Sequence, residues 1–213
     1  MNIVRNIKTI AVLWLLFCFN IDCYSQMAPM KNQGAFMKRL EENALSIKSI
    51  ESNFEQVKHL DIFNDDVHSK GIFYYQATDK IAMNYTAPVR YSMVINGDIL
   101  KTDSNGRTNT VSLGNNKMMK ELRKMISACM TGDISELTKD YKTEYFEDDS
   151  NYLVTLKPES ASIKAYITGF RIYFDKEDMS VKRLKIEEGT ADYTEYRFSG
   201  QKLNIAIESH IFE

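Results

Sequence analysis

From Gly71 onward, apolar and polar residues alternate with a period of two, which puts one set of side chains on each face of a strand. Residues 72–76, 80–86, 91–96, 99–103 and 107–113 read as strands on this pattern, and 141–147, 152–156, 170–174, 181–187 and 190–198 as five more. Turn residues punctuate them. Asn96-Gly97 predicts a type I′ hairpin turn with positive φ at both positions, and Ser104-Asn105-Gly106 predicts another turn. Pro88 should end its strand, because it has no N–H to give a central ladder. Residues 148–151, 175–178 and 188–189 supply the remaining turns.

Two segments follow a helical period instead. Phe36, Leu40 and Ala44 recur at a spacing of four, with Lys38, Arg39, Glu41 and Glu42 off that face, so residues 36–43 read as a short amphipathic helix. Within residues 114–131, Met118, Leu122, Met125, Ile126 and Cys129 share one face and Lys117, Lys120, Arg123 and Lys124 lie elsewhere. Gly132 is placed to end that helix in the left-handed conformation, and Asp133 to cap a second short helix through Leu137. Residues 50–60 fit two templates. Ile50, Ser52, Phe54 and Gln56 alternate, while Ile47, Ile50, Phe54 and Val57 fit a helical stripe. Residues 61–70 are polar and acidic, as in a turn or long hairpin loop. The inventory is α+β, mainly antiparallel β, with about ten strands. A sheet of that size accumulates twist and curls, leaving a concave face for two amphipathic helices to cover.

The first 25 residues have a different character. Arg5 and Lys8 precede an almost unbroken apolar run from Ile10 to Phe19, about half the roughly 20 residues a bilayer span requires. Cys23 and Ser25 fit signal-peptidase spacing, so residues 1–25 are expected to be a cleaved signal peptide and 26–213 one exported, periplasmic domain. Asp22 before Cys23 and Phe17 before Cys18 do not fit a lipobox, which wants a small residue there. Cys129 is then the one remaining thiol, so no internal disulfide is expected. The leader holds Arg5, Lys8 and Asp22 out of 27 basic and 29 acidic side chains, which leaves the mature chain a net charge of about −3. With no basic patch or tail, nucleic acid is not an expected partner.

Catalytic patterns are weak. His59, His68 and His210 have no ligand-like spacing, and the first two are expected in a solvated loop. The chain has no Gly-x-Ser-x-Gly elbow and no Gly-rich phosphate loop, and Cys129 lies in an apolar helical stripe. No enzymatic activity, metal or cofactor is therefore expected. Apolar material is plentiful. The strands from Phe73 to Met93 put Phe73, Tyr75, Ile81, Met83, Tyr85 and Met93 on one face, and the mid-chain helix adds Met118, Met119, Met125 and Met130. Methionine-rich surfaces repack around ligands of different shape, which suits acyl chains held by apolar burial of about 0.8 kcal/mol per CH₂.

The spaced set Phe54-x-Gln56, Gly71, Tyr85-x-x-Pro88 and Asn96-Gly97 resembles the LolA group of periplasmic lipoprotein carriers, over about residues 40–199. The resemblance supports a strand for residues 50–60. It implies a strongly curved half-open β-barrel covered by helical lids, enclosing a hydrophobic cavity that shields lipoprotein acyl chains between the inner and outer membranes. The implied wall is Phe54, Phe73, Tyr75, Ile81, Met83, Tyr85 and Met93 from strands, with Met118, Leu122, Met125 and Ile126 from the lid. A charge introduced at Met83 or Tyr85 is expected to lower cargo binding without unfolding the protein. The implied partners are acylated lipoproteins or other acyl lipids, an inner-membrane ABC transporter of the Lol type and an outer-membrane acceptor, with the carrier a monomer. Alternatives are a carrier of another acylated lipid or lipid-pigment product, and a lipoprotein-sensing regulatory module, for which the length leaves no second domain. Two departures bear on mechanism. Many members carry an Arg-Pro pair six residues after the glycine, where Ala77 and Thr78 stand here, and tryptophan where Met83 stands. The lid-holding arginine of those members is therefore missing.

Overall fold

Twelve strands, each antiparallel to its neighbours, form one sheet in the order β1-β8-β9-β10-β11-β12-β2-β3-β4-β5-β6-β7. The computed structural model describes residues 27–63, 65–77, 80–113, 117–134, 137, 140–189 and 191–213, with residues 117–122, 129 and 162 described by backbone alone. The strands are β1 (Ala28–Pro29), β2 (Ser49–Leu60), β3 (Asp65–Gln76), β4 (Lys80–Ala87), β5 (Tyr91–Asn96), β6 (Ile99–Ser104), β7 (Arg107–Ser112), β8 (Tyr141–Glu147), β9 (Asn151–Pro158), β10 (Gly169–Asp175), β11 (Val181–Glu188) and β12 (Asp192–Leu203). Among the described residues three α-helices accompany them: α1 (Gln33–Ser46), α2 (Lys117–Thr131) and α3 (Ala161–Lys164). The architecture is the open curved sheet expected, with twelve strands rather than about ten.

Two meanders build it. β2 to β7 and β8 to β12 each run in sequence order, and β12 pairs with β2 to join them. The chain therefore leaves β7 at one edge and re-enters at β8 near the other, and α2 lies on that crossing. The expected helix at residues 36–43 begins earlier, because Asn32 caps it: its side chain accepts a hydrogen bond from the Ala35 N–H at 3.0 Å. Phe36 and Leu40 on its buried face pack against the β8–β10 region, Phe36 meeting Tyr152 at 4.8 Å and Phe174 at 5.8 Å between ring centroids. Gly132 takes φ +84° after α2, and a Cβ there would lie 2.7 Å from Leu40 Cδ1, so α1 and the end of α2 meet at a point only glycine fits. The second helix expected from Asp133 falls partly on residues 135 and 136, outside those described.

The ambiguous segment at 50–60 is a strand, with Ile50, Ser52 and Phe54 buried on one face. Residues 65–70 are not loop but the outer arm of β3, paired with β2 out to Leu60 opposite Asp65. They are polar because β4 reaches only as far as Lys70, so this arm of β3 projects past its neighbour into solvent. His59 and His68 consequently sit on strands, and His59 Nδ1 lies 2.7 Å from Asp66 Oδ1. The β5–β6 turn is offset by one residue from the expectation. Asn96 pairs with Ile99, leaving Gly97 and Asp98 as central residues with positive φ at Gly97, the pattern of a type II′ turn. The type I′ pattern occurs instead at Asn105-Gly106, where φ is +53° and +78°.

The main core lies on the concave face, between the sheet and its helices. A second cluster lies behind the sheet. There Tyr74, Ala82 and Val94 are covered by Phe212 from the C-terminal segment, whose carbonyl accepts from Asn96 Nδ2 at 3.2 Å. The sequence pattern predicts no element after residue 198.

Candidate apolar binding site

Strand register brings the wall residues named from sequence onto one face. Phe54, Gly71 and Tyr85 are cross-strand partners, as are Ser52, Phe73, Met83 and Met93 in the next row, and Ile50, Tyr75, Ile81 and Ile95 in the one after. Directly opposed side chains of antiparallel strands point the same way, so all seven strand residues face the concavity. Gly71 leaves the space into which the Phe54 ring folds. A Cβ on it would stand 2.8 Å from Phe54 Cζ and 2.2 Å from the Asn84 carbonyl oxygen. Phe54 meets Tyr85 edge-on at 5.0 Å and Tyr196 at 6.0 Å, while Phe73 meets Phe198 at 5.8 Å. Phe54, Phe73, Tyr75, Ile81 and Met83 are buried, and Tyr85 and Met93 partly buried against the same cluster.

A cavity of about 420 Å³ opens beside this packed region, under α2 and α3. Its apolar wall is Met125 from α2, Tyr141 from β8, Ile163 and Ile167 from α3 and the turn after it, Phe170 from β10 and Ile186 from β11. Tyr166 also lines it and is 62% exposed. Gln56, Lys58, Glu188, Thr194 and Tyr196 form the remaining side, from β2, β11 and β12. Of the eleven residues named from sequence, Met125 lines this cavity. Ile126 packs partly buried against the core, and the side chains of Met118 and Leu122 lie outside those described. The volume falls within the roughly 300–1,000 Å³ usual for small-molecule sites.

The Tyr85 and Tyr196 phenols interact with each other, linking the packed rows to the cavity wall. Burial pushes the Tyr196 phenol well above its ordinary pKa, helped by neighbouring Tyr85 and Glu188, and burial also raises Tyr85. Lys58 Nζ approaches Glu188 Oε2 at 3.3 Å, and the Thr194 hydroxyl donates to Glu188 Oε1 at 2.8 Å. Of these polar wall residues the sequence marks Gln56, within the spaced set, and Glu188, as a turn residue, whereas Glu188 in fact closes β11. The charges of Lys58 and Glu188 look like those of any solvated strand end.

α2 is tied down at its C-terminal end and at its middle. Its C-terminal end packs through Gly132 on Leu40, and midway along it Arg123 donates to the Gly97 carbonyl and lies 3.6 Å from Asp98 Oδ1. Apolar spacing alone places Arg123 only off the helix's buried face. Among the described residues no three His, Cys, Asp or Glu side chains come together as a metal site needs, and no helix is long and apolar enough to cross a membrane.

The sequence model of a family described as outer membrane lipoprotein carrier protein LolA matches residues 45–213. Comparison with curated proteins gives no match. Among solved structures, an uncharacterized conserved protein from Thermus thermophilus is similar with a TM-score of 0.51 at 7% identity, over 84% of this chain and 92% of that one. A LolA superfamily protein from Nitrosomonas europaea reaches 0.43 at 12% identity, over 83% and 97%. Lipoprotein LppX from Mycobacterium tuberculosis reaches 0.43 at 11%, over 81% and 97%. At such identities the likeness to the Thermus protein is one of fold.

Proposed function

The chain belongs to the LolA family, and we propose that it is a periplasmic carrier that shields the acyl chains of lipoproteins and shuttles them from the inner to the outer membrane. The observation that carries this reading is the apolar-walled cavity of about 420 Å³ between the concave face and its covering helices, in a chain of that family. Its mechanism needs no catalysis. Cargo leaves an inner-membrane ABC transporter of the Lol type and α2 and α3 part from the sheet. The acyl chains then replace empty volume and loosely packed side chains. An outer-membrane acceptor with a more favourable site takes them. Burial of about 0.8 kcal/mol per CH₂ sets the affinity scale, and one acyl chain holds a membrane only weakly, so a soluble cavity competes for it.

Phe54, Phe73, Tyr75, Ile81, Met83, Tyr85 and Met93 are the inner wall of this reading, a packed reserve that an entering chain displaces, with Met118, Leu122, Met125 and Ile126 as the lid. Export with cleavage after Ser25 completes it. The test is native mass spectrometry of the protein taken from its own periplasm, with the released ligand fragmented. A triacylated lipoprotein adduct supports the proposal. A non-protein lipid replaces it with carriage of another acylated lipid.

A further inference from the structure

The cavity is amphipathic, and its polar side has a definite chemistry. Lys58 and Thr194 are direct cross-strand partners, and Glu188 closes β11 beside them. Glu188 receives one contact on each oxygen, from Lys58 Nζ at 3.3 Å and from the Thr194 hydroxyl at 2.8 Å. Thr194 is buried, while Lys58 and Glu188 side chains retain 39% and 32% of their exposure, so the pair stands at the cavity's rim rather than in its depth. Phe170, Ile186 and Met125 make up the apolar end.

An ammonium carries three donors. Lys58 directs one to Glu188, and the described residues show no second partner for it. The rim therefore offers N–H donors at a net charge of zero. An incoming carboxylate or phosphate would meet Glu188 at the same contact that attracts it to Lys58, and like charges in one site are costly. A neutral carbonyl oxygen accepts from Lys58 without disturbing the pair, at the strength of a hydrogen bond to a charged donor.

We propose that the Lys58–Glu188 pair selects the head of the ligand: an acyl chain ending in an uncharged ester or amide is accepted, its carbonyl oxygen taking a hydrogen bond from Lys58, and a free fatty-acid carboxylate is rejected. This rests on the reading that the cavity takes acyl chains.

The test is calorimetric titration of the purified, delipidated chain with monopalmitoylglycerol and with palmitate at about pH 8, where the acid is ionised. The expected result is about tenfold tighter binding of the ester, the worth of one charge-assisted hydrogen bond. Glu188→Gln keeps the Thr194 bond and removes the repulsion, so it should raise palmitate affinity and bring the two ligands together. Lys58→Met should weaken the ester about tenfold. Equal affinities in the parent, unmoved by Glu188→Gln, would overturn the head-group selection and leave the carrier reading standing. No binding of either ligand would overturn both.

Discussion

The concave face is used in two ways. Across β2 to β5, Phe54, Phe73 and Ile81 are each 1% exposed, with Phe54 folded into the space over Gly71 and edge-on to Tyr85. Across β10 to β12, residues of the same chemical kind, Phe170, Ile186 and Tyr196, border open volume under α2 and α3. Composition does not separate the two regions. The difference lies in what stands above the sheet: aromatic rings filling one another's space in the first, helices arching over the face in the second. Apolar character thus marks the face, and only the covering elements decide where it stays unfilled.

The largest effects should come from the filled region. Met83 is 5% exposed in the row of Phe73 and Met93, so Met83→Asp buries an unpaired charge and should cost about 3–5 kcal/mol. This changes the expectation drawn from sequence, where a charge at Met83 would spare folding. Phe54→Ala empties a fully packed site and should cost about 3–5 kcal/mol, read as a lowered urea midpoint. Ile163→Ala removes atoms that already face the cavity, so a loss of about 1 kcal/mol is expected. It should nevertheless weaken monopalmitoylglycerol binding, which Phe54→Ala cannot be used to judge. If Ile163→Ala and Phe54→Ala lost the same stability, the contrast between the regions would be gone.

The fold was largely legible in the sequence because period-two alternation and turn residues are local signals. The misreadings share a cause. The outer arm of β3 is polar because it outruns β4, and strand length relative to a neighbour is not local information. The β5–β6 turn slipped by one residue because Asn96 can pair or turn, and cross-strand register with Ile99 decided it. Phe212 covers Tyr74, Ala82 and Val94, a patch that exists only once β3, β4 and β5 lie side by side. The candidate site was legible only as a face. Lys58, Thr194 and Glu188 come from three strands and become one group through pairing, while Arg123 finds its partner at a turn distant in sequence.

The smallest expected effect tests the border between the two regions. The Tyr85 and Tyr196 phenols interact there, and burial raises both above their ordinary value of 10.0. In the unfolded chain both ionise near that value. As pH rises past about 10, the unfolded state gives up protons that the folded state keeps, so stability falls with pH. Below about pH 9 neither state is ionised and the pair adds no slope. Tyr196→Phe leaves the Tyr85 hydroxyl without this partner and should cost about 1 kcal/mol or less at neutral pH. It also removes the more strongly shifted of the two phenols, so the alkaline decline in the urea midpoint should be shallower than in the parent. Parallel declines would mean that Tyr196 titrates as a solvated phenol. The cavity would then be wet at the point where it touches the packed rows, and the filled region would end one strand earlier.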